Sequence, residues 1–202
     1  MTRVMWVAMA ALFVMMPLTQ AASAQGRARG ASAPPAATAK AAAPMLVIET
    51  AKGNIEIELY PADAPKTVEH VVALAKRNFY NGLRVHRVEP GFVVQFGDPQ
   101  TRDMTKRALW GTRGSGRTVG AAELKRVHRL GSVAMAHGGD QFGGPQGADA
   151  QMYILLSNGR PALDGKYSVF GQVTSGMDVA RRLTDGDDGA PPDVIRRVTV
   201  KP

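Results

Sequence analysis

The stretch RVHRVEPGFVVQFGD, residues 84–98, sets two arginines and a histidine among valines, breaks at Pro90-Gly91, and resumes as a second apolar run that carries a glutamine. Its two arms, residues 83–88 and 92–96, read as short strands on either side of the break. A charged side chain at the edge of a core strand is costly unless something uses it. The pair to explain is Arg87 and Gln95.

Working outward, most of the chain from residue 45 reads the same way. Residues 45–50 and 54–60 form a hairpin across Ala51-Lys52-Gly53, with Ile55, Ile57 and Leu59 alternating against Asn54, Glu56 and Glu58. Residues 132–137, 152–157, 168–173 and 194–201 complete eight strands. Two helices interrupt them. In PADAPKTVEHVVALAKR, Asp63 is the expected N-cap, Pro65 suits the first turn, and Val68, Val71, Val72 and Ala75 recur at helical spacing. In SGMDVARRL, Ser175 and Asp178 make a capping-box-like pair ahead of Val179, Ala180 and Leu183. The pattern predicts a mainly β protein, a closed eight-stranded antiparallel β-barrel capped by two α-helices. Two long loops, residues 99–122 and 138–150, are too long to be idle connections in a compact domain. The second is glycine-rich but lacks the GK[ST] ending of a phosphate-binding loop.

The ends of the chain read differently. Arg3 precedes an uncharged apolar run, residues 4–18, and Ala22-Ser23-Ala24 offers a small-x-small cleavage site before Gln25. We expect residues 1–24 to be an export signal, cleaved rather than retained as an anchor, because Pro17 and the alanine-rich end shorten the strongly apolar part. The protein is then periplasmic or secreted, with no stable membrane insertion after cleavage. Residues 25–44 contain no aliphatic side chain larger than alanine apart from proline, and no aromatic, which predicts a disordered Ala/Pro-rich linker. Residues 45–202 are left as the domain.

Of the net charge of +8, Arg3, Arg27, Arg29 and Lys40 lie ahead of the domain, leaving it a mild excess. It lacks a basic stripe interleaved with aromatics, and Lys106, Arg107, Arg113 and Arg117 read as a solvated loop, so no nucleic-acid partner is expected. The chain has no cysteine, which excludes disulfides, thiol nucleophiles and lipid thioethers. There is no G-x-S-x-G elbow and no H-E-x-x-H, and His70, His86, His128 and His137 lack metal-ligand spacing. His86 and His128 read as structural.

At this point the residues resemble a family. VHRVEPGFVVQFGD (residues 85–98) is similar to the cyclophilin signature. So are GNIEIELYPADAPKTVEHVVALA, GSVAMA, AQMYILLS and LDGKYSVFGQVTSGMDVA to the family's first hairpin and helix, central strands, and last hairpin and second helix. The resemblance implies a barrel with two capping helices that catalyses cis/trans isomerisation of X-Pro bonds without metal or cofactor. By position, Arg87 resembles the catalytic arginine and Gln95 the glutamine that positions it. Phe92, Val93, Tyr153 and Leu163 would form the proline pocket, Ala136 and Gln151 would line the groove, and the backbone at His137 would bind the peptide. Tyr167 stands where the family often has histidine.

Four positions depart from the family pattern: Phe96 (glycine in the common form), Val93 (often methionine), His137 (usually asparagine) and Ala162 (tryptophan in many eukaryotic relatives). Phe96 is expected to stiffen the backbone after Gln95. The expectation is a monomeric exported peptidyl-prolyl isomerase acting on proline-containing polypeptides during folding. The alternative is a module that holds proline-containing segments with little turnover.

Overall fold

Alternation carries the first hairpin. In the computed structural model, which describes residues 43–202, β1 (Met45–Thr50) pairs antiparallel with β2 (Gly53–Leu59) so that Leu46 faces Ile57 and Ile48 faces Ile55. All four side chains are fully buried, together with Leu59. Each such burial is worth about 1.5–3 kcal/mol, enough to pin a register in which a one-residue slip would expose the whole set.

The remaining strands are β3 (Arg87–Glu89), β4 (Val93–Phe96), β5 (Ser132–Met135), β6 (Met152–Leu155), β7 (Val169–Ser175) and β8 (Arg197–Lys201). All pairs are antiparallel, in the order β3-β4-β6-β5-β7-β2-β1-β8. The eight expected strands are present, but full closure is corrected: β3 and β8 form no ladder, and the sheet curls into a half-barrel. Its ends are tied by a single bridge, Arg84 to Val194, with Gly82 N–H donating to Ile195 O (2.7 Å), Val85 N–H to Asp193 O (2.9 Å) and Ile195 N–H to Leu83 O (2.8 Å). At this bridge and beyond it the chain finds other partners: the Arg84 amide donates to Thr101 Oγ1 (2.9 Å) and the Val88 amide to Asp185 Oδ2 (2.6 Å).

Helix α1 (Pro65–Lys76) buries Val68, Val71, Leu74 and Ala75 and packs on β8; Val72 is only partly buried at the edge of the stripe. Its N-terminus differs from expectation. Ala64 is the N-cap and makes no side-chain cap, while Asp63 accepts from Arg126 Nε at 2.6 Å. The Glu123 carboxylate instead accepts from the amides of Lys66 (3.0 Å) and Thr67 (2.9 Å), so an acidic group from a distant loop occupies the positive end of the helix. Helix α2 (Met177–Arg182), beside β2, likewise lacks the expected capping box. Ser175 belongs to β7, Asp178 bonds Arg182 Nη1 at 2.7 Å, and the cap is Gly176. Gly176 has φ +85°, and a Cβ there would sit 2.2 Å from Asn54 O, so only glycine lets β7 turn into α2 against the β2 backbone.

The two long loops are fastened by carboxylates. Asp98, fully buried, accepts from the amides of Gln100 (2.7 Å) and Arg113 (3.0 Å), and Asp149 accepts from the amide of Gly116 (2.8 Å) and the Ser115 hydroxyl. The first loop is thereby held beside β4, where it forms a wall of the groove described next. Among the described residues no helix is long and apolar enough to cross a membrane. The expected signal, and the expected linker up to residue 42, lie outside the described residues.

Candidate active site

Strand parity on β4 divides its side chains between two environments. Val94 and Phe96 join the main core inside the curl, whereas Val93 joins a second, smaller apolar cluster. That cluster holds Ala134, Tyr153, Leu155 and Val169, with Phe92, Ala136, Leu163 and Tyr167 packed against it. The residues expected to form a proline pocket are thus gathered in their own cluster, and their apolar character reflects the groove rather than the core. Phe96 points into the main core, 1% exposed, with its ring at an 80° angle to Tyr80 and centroids 6.3 Å apart. Its side chain leaves on the opposite face from Gln95, as the two-residue period of a strand requires, so the bulk that Phe96 adds goes to the core and not into the groove.

The glycine after Phe96 serves the site directly. Gly97 has φ +121°, and a Cβ there would lie 2.4 Å from Ala150 O and 2.6 Å from Gln151 Cα. This close approach lets the Gln151 segment lie against β4.

Arg87 and Gln95 are cross-strand partners, and Gln95 is in turn opposite Tyr153 on β6. A line of hydrogen bonds follows. Arg87 Nη1 donates to Gln95 Oε1 (3.2 Å), Gln95 Nε2 to Gln151 Oε1 (2.9 Å), and Gln151 Nε2 to the carbonyls of Gly111 (2.8 Å) and Arg113 (2.9 Å). Gln95 is therefore fixed from both ends and holds one edge of the guanidinium. The other edge is held by Glu89, whose Oε1 accepts from Arg87 Nε at 3.0 Å and also from Nη2. The Arg87 guanidinium carbon lies 5.7 Å from the Phe92 ring centroid, and that of Arg160 lies 4.8 Å from it. The neighbouring His86 is held below the ordinary histidine range chiefly by burial, which keeps it neutral beside the arginine.

Arg87, Phe92, Val93, Gln95, Ala136, His137, Tyr153, Leu163 and Tyr167 line one cavity of about 390 Å³. Gln151 lines the adjoining one of about 440 Å³, which shares Gln95, Ala136 and His137. All ten residues singled out in the sequence are thus brought together. The His137 ring folds back from the groove: Nε2–H donates to Lys166 O (2.9 Å), Nδ1 accepts from the Gly139 amide (3.1 Å), and the ring stacks on Tyr167 at 4.5 Å. Its own backbone N–H and C=O have no partner among the described residues. Sequence reasoning missed Glu89, Trp110 and Phe142. Glu89 was detectable, since i and i+2 share a strand face. Trp110 and Phe142 sit in loops with no periodicity to mark them.

The cyclophilin type peptidyl-prolyl cis-trans isomerase/CLD family matches residues 45–201. The chain belongs to the cyclophilins. This cyclophilin is 41% identical over 144 residues to the peptidyl-prolyl cis-trans isomerase of Helicobacter pylori, covering 69% of this chain and 80% of that protein. It is 40% identical over 139 residues to peptidyl-prolyl cis-trans isomerase B of Bacillus subtilis, covering 67% and 87%. Among solved structures, a cyclophilin type isomerase of Cryptosporidium parvum in the presence of the dipeptide ala-pro superposes with TM-score 0.64 at 22% identity, covering 78% of this chain and 99% of that one. The cyclophilin is therefore a peptidyl-prolyl cis-trans isomerase.

Proposed function

We propose that this isomerase acts on proline-containing segments of exported proteins as they fold, with Arg87 as the catalytic hydrogen-bond donor and Gln95 as its positioner. The observation that carries the assignment is the guanidinium at the lip of a cavity shared with the apolar cluster of Phe92, Val93, Tyr153 and Leu163, braced by Gln95 on one side and Glu89 on the other. Rotation about an X-Pro bond is slow because amide resonance sets a barrier of about 18–20 kcal/mol. A donor aimed at the prolyl nitrogen favours a localised lone pair there and weakens that resonance, and no covalent step is needed. Val93, Phe92, Tyr153 and Leu163 hold the pyrrolidine ring while the acyl side turns. The unpartnered backbone groups of His137 take the peptide's own amide groups, and Ala136 and Gln151 line the groove towards the second cavity.

A rate gain of about 10⁵ requires roughly 7 kcal/mol of selective transition-state stabilisation. A charged hydrogen bond in a partly desolvated groove contributes about 1.5–3 kcal/mol, and fixed orientation supplies the rest.

Export is supported by Arg3, the apolar run after it and Ala22-Ser23-Ala24. A monomer is supported by a groove completed within one chain. Against a nucleic-acid role, Arg107 is paired with Asp187 (2.8 Å) and Lys106 with Asp103 (3.6 Å), which quenches part of the basic loop. Two measurements on protein recovered from the exporting cell test the reading. Isomerisation of an X-Pro peptide is followed by NMR exchange, and intact mass should place Gln25 at the amino terminus. A mass corresponding to the full 202 residues would overturn the cleaved signal.

A further inference from the structure

His128 is a fully buried histidine that lines neither groove cavity, yet both ring nitrogens are engaged. Nδ1 lies 2.8 Å from Asp164 Oδ1, and the His128 backbone amide donates to the same oxygen at 2.7 Å. Nε2 lies 2.8 Å from the Tyr153 hydroxyl, with the two rings within 9° of parallel.

The donor directions along this chain follow from protonation. The Asp164 carboxyl is held below the usual carboxylate range, first by the His128 backbone N–H and further by the ring donor, so it is ionised and can only accept. Nδ1 must therefore carry a proton. In the neutral imidazole Nε2 is then a bare acceptor, which makes the Tyr153 hydroxyl the donor. Burial raises the phenol's own pKa, so it keeps its proton for that bond.

Tyr153 lines the proline cavity and is 5% exposed, and its hydroxyl is bound on the His128 side; freed from His128, it would add a polar group to the pocket. Asp164 directly follows Leu163, which closes another side of the same cavity. We propose that His128 and Asp164 are positioning residues for the proline pocket: they hold the Tyr153 hydroxyl on the His128 side and tie the turn bearing Leu163 to β6, so that the carbon face of the ring packs against Val93, Leu163 and the Tyr153 ring. The proposal rests on the assignment of this cavity to the prolyl ring.

The test is a double-mutant cycle on the exported chain, reading kcat and KM for an X-Pro peptide. With Tyr153 present, His128→Leu should raise KM about tenfold and change kcat less than about threefold, because the freed hydroxyl must find a partner in the pocket. In a Tyr153→Phe background, whatever its own activity, the same substitution should change KM less than about twofold. Equal KM effects in the two backgrounds, or no effect with Tyr153 present, would overturn the proposal. Should His128→Leu not fold, Asp164→Ala gives the same cycle, since it releases the tautomer without emptying the core. A rise in KM with Tyr153 and none without it supports the pair; any other pattern overturns it. Arg87→Ala separates the two readings. If that variant stays active while the cycle behaves as expected, the catalytic assignment fails and the positioning role stands.

Discussion

Arg87 Nη1 donates to Gln95 Oε1 at 3.2 Å across the β3–β4 ladder, where the two residues are register partners. A glutamine amide anchored beyond by Gln151 thus fixes the direction of a half-exposed guanidinium. Arg87→Ala removes the donor and leaves the apolar cluster of Val93, Tyr153 and Leu163 in place. Turnover of an X-Pro peptide should fall at least about tenfold with the melting temperature nearly unchanged. Near-normal turnover would disprove the assigned mechanism.

Glu89 holds the opposite edge of the same guanidinium, and the pair is about half exposed on both sides. Such a pair contributes little to stability, on the order of 0–1 kcal/mol. Its effect should instead be on the substrate, whose prolyl nitrogen competes with the carboxylate for the guanidinium. Glu89→Gln is expected to raise kcat/KM at low salt, by no more than about fivefold, with a weaker salt dependence than the native chain. A fall in kcat/KM at low salt would show that Glu89 is needed to orient Arg87.

Phe96 lies in the main core against Tyr80, away from the groove. Phe96→Ala should cost about 3–5 kcal/mol of stability by leaving a cavity. At a temperature where the variant is still folded, KM for an X-Pro peptide should be close to that of the native chain. Chemical denaturation and steady-state kinetics on the same sample decide between a core role and a site role.

Asp164 predicts a pH effect on stability. Its folded-state pKa is depressed below the ordinary value of 3.8, chiefly by the His128 amide. A depressed carboxylate stabilises the fold above its unfolded pKa, and that contribution is lost as pH falls through the folded value. The melting temperature of the native chain should therefore drop on acidification below about pH 4, and Asp164→Asn should show a shallower drop over the same window. Parallel curves would mean that the carboxylate does not contribute.

Much of the fold was legible because burial imposes a period. Ile55, Ile57 and Leu59 alternate, Val68, Val71 and Ala75 recur at helical spacing, and all are buried as read. The ten site residues were legible only through the resemblance of residues 85–98 and the segments around them to a family, since Phe92, Val93 and Leu163 taken alone read as ordinary core. Helix capping was not legible. Asp63 and Ser175 have the right chemistry at the right place, but Arg126 and the β7 ladder claim them, and Glu123, 56 residues along the chain, supplies the carboxylate for α1.

The sequence by itself determined which residues seek burial and where the chain must turn, and it set two short strands on either side of Pro90-Gly91, because periodicity and turn chemistry act over a few residues. Tertiary structure alone decided that the sheet stops at a half-barrel tied through Arg84 and Val194, that Arg87 and Gln95 meet as register partners supported by Gln151, and that Tyr153, His128 and Asp164 join in one hydrogen-bonded line. The closing bridge and the buried line depend on partners 25 to 110 positions apart. A buried polar atom must find a partner, but which one it meets is set by where the folded backbone carries it.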